Sequence, residues 1–308
     1  MKTTSVKLMK GLVENLWQQY LRRVPYARKY SELVNARGGK VVHDHIAFRT
    51  LNTNTGEQPA GFRALGHLLE ILNYHKAGKY KFPKMMATAV HYEHPDPLLP
   101  KIFVSQLEVS ELPEWAQQII HQAVVDTPYL LSEEAIGLMN ILNEQGSITN
   151  EAAEILIEEL TGYFRRPWKV PTRENLLKIN DISQYAAWTL LHGNSINHFA
   201  AFLNLQSVPE WPDIETTCAA LAQAGIPMKP EIEGDEGSIL RQSATLAVKE
   251  PIRFRGEDKE IVEMEWTYAY YEFTQRGYII SDEGEKMFTG FIPDQATHLF
   301  RMTETRDN

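Results

Sequence analysis

Two stretches of this chain repeat one element order, and that repetition restricts its fold more than any other feature. Asp44-His-Ile-Ala-Phe-Arg-Thr-Leu-Asn52 lies beside Asn197-His-Phe-Ala-Ala-Phe-Leu-Asn204, each opening with a polar residue, His, an apolar residue and Ala. From the first stretch onward the pattern reads strand, helix, strand, strand. Residues 40–50 are rich in β-branched and aromatic side chains, residues 61–72 are helical, and residues 87–92 and 101–109 are extended. From the second stretch, residues 195–203 read as a strand and 214–224 as a helix stopped by Gly225 and Pro227. Residues 238–248 and 260–273 follow as strands. Paired βαβββ modules form a half-open barrel in which the first and last strands of each module line one cleft.

The rest of the chain is helical. Leu8, Leu12, Leu16, Tyr20 and Val24 recur at near-helical spacing until Arg37-Gly38-Gly39-Lys40 breaks the pattern. Residues 114–125, 132–143 and 151–164 are three further helical stretches, and 173–191 a fourth. The expected organisation is one composite α+β domain: an N-terminal helical part (1–39), a first module (40–110), a helical insertion or cap (111–191) and a second module (192–308).

A chain of 308 residues buries a sizeable core unaided. Its 31 basic and 40 acidic residues leave a net charge of −9, which argues against nucleic acid as the main partner. Cys218 is the only cysteine, so neither a disulfide framework nor a CxxC zinc site is expected. No run of eighteen apolar residues suggests a membrane span, and the first ten residues lack a signal-peptide core. The expected location is the cytoplasm.

Strand alternation places His43, His45, Ala47 and Arg49 on one face of the first strand and Ile46 and Phe48 on the other. His198 recurs in the second module, and Glu272 and Thr274 share a face of the last strand. Two imidazoles and a carboxylate on three strands leave coordination positions open. Such a set suits Fe(II) with substrate and dioxygen, and equally zinc with a bound water. Plainer roles compete with these. His43 rivals His45 on the same face, Glu272 has Arg276 and Lys286 nearby as ion-pair partners, and Arg49 is a candidate for a structural ion pair. His91 and His94 precede Pro95 and Pro97, which suggests a loop; Tyr268, Tyr270 and Tyr271 read as cross-strand packing.

The segments His45-Ile-Ala-Phe-Arg49, Ile196-Asn-His-Phe199, Leu240-Arg-Gln-Ser243 and Glu272-Phe-Thr-Gln-Arg-Gly277 resemble motifs of the 2-oxoadipate dioxygenase/decarboxylase (hydroxyglutarate synthase) family, over roughly residues 5–300. The resemblance implies a vicinal-oxygen-chelate, glyoxalase-like fold and one Fe(II) held by His45, His198 and Glu272. It implies that Arg49 holds a substrate carboxylate, a role that suits a planar, always-charged fork. It further puts Gln242 and Ser243 on a cleft-facing strand beside the substrate, and Gln106 near the metal. The implied reaction converts a 2-oxo diacid such as 2-oxoadipate, with dioxygen, to 2-hydroxyglutarate and carbon dioxide. Members acting in lysine catabolism are longer and carry Pro-Arg after the second histidine motif, where this chain has Ala201-Phe202. The rival expectations are a zinc- or manganese-dependent hydrolase or isomerase on the same scaffold, and a binding protein without chemistry. A homodimer is compatible with all of them.

Overall fold

The computed structural model describes residues 1–255, 260–281, 284–293 and 301–303; the other residues of the 192–308 span lie outside the described residues. Strand β1 (Lys2–Thr4) leads into α1 (Ser5–Arg23) and α2 (Pro25–Ala36). Pro25 divides what reads as one helix, because a residue without an N–H cannot continue α1 yet fits the first turn of α2. The first module follows as β2 (His43–Asn52), α3 (Arg63–Ile71), β3 (His75–Phe82), β4 (Ala87–Glu93) and β5 (Lys101–Glu108). Strand β3 escapes sequence patterning because it is a sheet edge. Its exposed lysines 76, 79 and 81 carry the signature of a protected edge rather than of a half-buried strand.

Next come α4 (Glu114–Val124), α5 (Glu133–Gln145), β6 (Ser147–Thr149), α6 (Asn150–Tyr163), α7 (Arg173–Ile182) and α8 (Gln184–His192). The single helix expected over 173–191 is two helices. Ser183 is extended, and its hydroxyl accepts from the Ala186 amide to cap α8. The chain ends with β7 (Ile196–Phe202), α9 (Ile214–Gln223), β8 (Leu240–Ala244), β9 (Lys249–Arg255), β10 (Ile261–Thr267), β11 (Glu272–Arg276), β12 (Tyr278–Ser281) and β13 (Gly284–Met287).

Seven strands form one curled sheet in the order β3-β4-β5-β2-β7-β11-β8. The fold is the α+β half-open barrel, with the two halves joined where β2 runs antiparallel to β7. The halves are unequal. The first supplies four strands and the second three, because β9 and β10 leave the sheet as a separate two-stranded ribbon. The continuous strand expected over 260–273 is therefore broken after Thr267. Burial alternates along β10 and then becomes continuous, marking the passage from ribbon to sheet.

Helices cover both faces of the sheet. Ile46, Phe48, Phe199 and Phe273 pack with Leu12, Trp17 and Tyr30 of α1 and α2, and α5 and α6 join this layer through Met139 and Leu156. Ala47, Phe103 and Leu107 pack on the opposite face with Ile120 of α4, Ile179 of α7 and Tyr185 of α8. The helical stretch 111–191 thus supplies both layers, and α8 lies over the face that carries the site.

Candidate metal centre

Strand β2 departs from strict alternation at Asp44. Opposite β7, His43 pairs with Ala201 and His45 with Ala200, so Asp44 is an extra residue. A bulge of this kind lets neighbouring side chains share a face. It turns His43 to the helix-covered face, where its half-buried ring meets Trp17 at 4.5 Å and Phe199 at 4.8 Å. His43 is therefore no rival ligand. Loss of solvent around the ring pushes its pKa down to about 3, which keeps it neutral. Asn197 is the matching extra residue on β7, between Ala47↔His198 and Phe48↔Ile196. The polar residue before each histidine in the sequence echo is a bulge residue in both halves.

Each bulge residue holds the histidine that follows it. His45 Nδ1 donates to Asp44 Oδ2 at 2.8 Å, and His198 Nδ1 to Asn197 Oδ1 at 3.2 Å. Protons on both Nδ1 atoms leave lone pairs on both Nε2 atoms. Those two atoms face each other at 3.2 Å. Glu272 Oε1 lies 3.4 Å from His45 Nε2, and Oε2 lies 3.3 Å from His198 Nε2. Gln242 Nε2 and Thr274 Oγ1 donate to Oε1 at 2.5 and 2.9 Å, while the buried Oε2 has no hydrogen-bond partner.

Three electron-rich groups with a common focus repel one another unless a cation lies between them, so this set fits a metal ion. Ligand bonds of about 2.1 Å place neighbouring ligands about 3.0 to 3.4 Å apart, from right-angled to tetrahedral geometry. The edge between the two Nε2 atoms, 3.2 Å, and that from His198 Nε2 to Glu272 Oε2, 3.3 Å, fall in that range and accommodate zinc as well as iron. Among the described residues this trio alone brings three such ligand atoms within 4.8 Å of one another.

The electrostatics agree. Burial, with the Arg49 charge adding to it, holds His198 well below its usual pKa, which keeps it neutral. Burial raises Glu272, partly offset by His45, Thr274 and Gln242. Burial alone would raise Asp44 too, but Arg276 and the His45 hydrogen bond hold it well below the carboxylate range. Arg276 does not pair with Glu272. It forms a two-pronged bond to Asp44, Nε to Oδ1 at 2.5 Å and Nη2 to Oδ2 at 2.8 Å, with both side chains fully buried.

Around the trio is a small space of about 30 Å³, with polar Arg49, Ser105 and Gln242 and apolar Ala47, Phe103, Tyr270 and Phe291 in its walls. Arg49 is buried, its guanidinium 5.1 Å from the Tyr185 ring and 5.0 Å from that of Trp188. Two expected neighbours point elsewhere. Ser243 alternates with Gln242 on β8, and its hydroxyl bonds the Glu231 carbonyl on the far side. Gln106 alternates with Ser105 on β5, and its amide binds the Phe62 N–H and Glu108. His91 lies within β4 rather than in a loop, between Tyr80 and Glu93. Tyr270, expected as packing, stacks on His198 at 4.6 Å. Phe291 and α8's Tyr185 and Trp188 were not legible as site residues, since only tertiary contact brings them there.

Comparison with known proteins decides the family. Residues 4–307 match the family model described as 2-oxoadipate dioxygenase/decarboxylase. The chain belongs to the 2-oxoadipate dioxygenase/decarboxylase family. It is 26% identical to the chloroplastic/amyloplastic enzyme of that name from Oryza sativa subsp. japonica over 198 residues, which are 61% of this chain and 47% of the relative. The match thus spans about half the length of that relative. A glyoxalase superfamily structure from Ralstonia eutropha JMP134 superposes with a TM-score of 0.85 at 26% identity, covering 94% of this chain and 87% of the other. The Oryza sativa hydroxyglutarate synthase, crystallised with 2-oxoadipate, superposes with a TM-score of 0.75 at 21% identity, covering 97% and 93%; this likeness shows the fold. No described helix is long and apolar enough to cross a membrane.

Proposed function

We propose that this protein is an Fe(II)-dependent dioxygenase that decarboxylates and hydroxylates a 2-oxo diacid such as 2-oxoadipate, giving 2-hydroxyglutarate and carbon dioxide. The observation that carries the reading is the convergence of His45, His198 and Glu272 in a pocket that also holds the buried cation Arg49. The three residues would hold the ion, which supplies a site for the 2-oxo acid and the electrons' path to dioxygen. The atoms balance without a second substrate: a six-carbon 2-oxo diacid and O₂ become a five-carbon 2-hydroxy diacid and CO₂. One oxygen atom enters the new carboxylate and the other the hydroxyl.

The chain's own groups have separate tasks. Asp44 and Asn197 fix the tautomers that turn both Nε2 atoms inward. Gln242 and Thr274 occupy one oxygen of Glu272 and leave the other to the ion. Arg49 pairs with the substrate's distal carboxylate, and Ala47, Phe103 and Tyr270 keep water from the reacting carbon. With its one cysteine unpaired, the protein suits a reducing compartment, and we place it in the cytoplasm.

Protein loaded anaerobically with Fe(II), given 2-oxoadipate and then aerated, should consume dioxygen and release 2-hydroxyglutarate and CO₂ in equal amounts. Arg49→Lys should raise KM for the diacid at least about tenfold, since a bidentate bond is lost, with little change in Fe(II) uptake. No oxygen uptake with any of a panel of 2-oxo acids, together with tightly held zinc in untreated protein, would replace this reading with a hydrolase or isomerase.

A further inference from the structure

Phe291 comes from outside the seven-stranded sheet yet forms a wall of the site. Its ring stands 5.0 Å from His45 and 4.8 Å from Phe103. Two anchors seat it. Its amide donates to the Tyr80 hydroxyl at 3.1 Å, and Arg276 Nη1 donates to the carbonyls of Phe288 and Gly290 at 3.0 and 2.8 Å. The same guanidinium grips both oxygens of Asp44, and Asp44 holds Nδ1 of His45. One buried cation therefore spans the support of a ligand histidine and the backbone that carries the wall. The space inside, about 30 Å³, admits about two waters. A six-carbon diacid needs more room, and the Phe291 wall is the side of the site that is not paired into the seven-stranded sheet.

We propose that Arg276 is a positioning residue that couples the seating of the Phe291 wall to the orientation of His45, so that metal uptake and wall closure favour each other. Arginine suits this role because its donors diverge: Nε and Nη2 meet a carboxylate side-on while Nη1 remains for other acceptors. Lysine can reach Asp44 or the carbonyls, but its single ammonium cannot hold both geometries. The second bulge offers no such link, because Asn197 is neutral and needs no counter-charge. The inference rests on the trio being a metal site, and coupling of this kind is reciprocal.

The test is amide hydrogen exchange in residues 284–293, with and without Fe(II) under anaerobic conditions, alongside Fe(II) titration. In the wild type, Fe(II) should slow exchange there about fivefold or more. In Arg276→Lys, Fe(II) should still bind within about tenfold of the wild-type affinity while exchange in the segment becomes indifferent to the metal. A purely structural role would instead loosen the segment equally in both states. Phe291→Ala should bind Fe(II) within about tenfold, lose the metal-dependent protection, and accept 2-oxo diacids one carbon longer. Should the lysine variant not fold, this second variant carries the test. Metal-dependent protection that persists in either variant, or wild-type exchange indifferent to bound Fe(II), overturns the coupling. A wild-type chain that takes up no Fe(II) overturns the site reading itself, and the coupling with it.

Discussion

A carboxylate with no exposed surface is costly to keep ionised, and Glu272 has its neutral donors on one oxygen only. A cation at the other oxygen removes that cost. Glu272→Gln keeps the shape but removes the charge, and should weaken Fe(II) or Zn²⁺ binding more than about 100-fold in a competition titration. Asp44→Asn keeps a similar shape while removing the acceptor charge behind His45, and should cost about 10- to 100-fold. Arg276→Met is a different kind of change: it strands Asp44 as a buried charge. We expect a loss of about 3–5 kcal/mol in urea unfolding, because one partner of a buried pair costs more to remove than the pair contributes. At this scale the sequence was informative about which side chains converge, since His45, His198 and Glu272 do meet. It was uninformative about Asp44–Arg276, partners 232 positions apart.

Elements explain which neighbours were misread. Alternation governs most of β2, β5 and β8 and correctly puts His45, Ala47 and Arg49 on one face. It fails for His43 because one extra residue turns the preceding part of the strand over, and a bulge leaves little mark in a single sequence beyond the polar residue before each histidine. Gln106 and Ser243 failed for the opposite reason: alternation holds on their strands, and their neighbours Ser105 and Gln242 are the ones that face the cleft. The bulge has a measurable consequence. His43 on the helix-covered face and His192 at the end of α8 are both pushed down to about 3, mainly by desolvation. An unfolded histidine takes its proton near pH 6.5, and these two resist it in the fold until about pH 3. Unfolding therefore gains protons as pH falls below about 6.5, and stability drops by up to about 1.4 kcal/mol per pH unit for each histidine. His43→Phe should recover about 2 kcal/mol of the loss between pH 7 and pH 5, read from urea midpoints at the two values. An acid limb unchanged by the substitution would contradict the assignment.

At the scale of the whole molecule, the three candidate ligands come from β2 and β7, which join the halves, and from β11 beside them. An ion there ties together residues 45, 198 and 272, so its removal should be felt in global stability. At a free metal concentration 100 times Kd, binding adds about 2.7 kcal/mol. A strong chelator should then lower Tm by roughly 5 °C, and the shift should vanish in His198→Ala. The repeated element order made the half-barrel legible, because each half's hydrophobic pattern is local. The missing strands β3 and β9 were not legible: one is a lysine-lined edge, and the other belongs to a ribbon that pairs only with β10. Nor was the arrival of Phe291 at His45, which depends on a bridge formed only when the chain is folded.

Whether one ion sits among His45, His198 and Glu272 is read from an anomalous difference map of crystals grown with Fe(II) and measured on both sides of the iron edge. A single strong iron peak should lie about 2.0–2.2 Å from both Nε2 atoms and from Glu272 Oε2. No peak among these three residues, or iron bound only elsewhere, would contradict the metal-site reading.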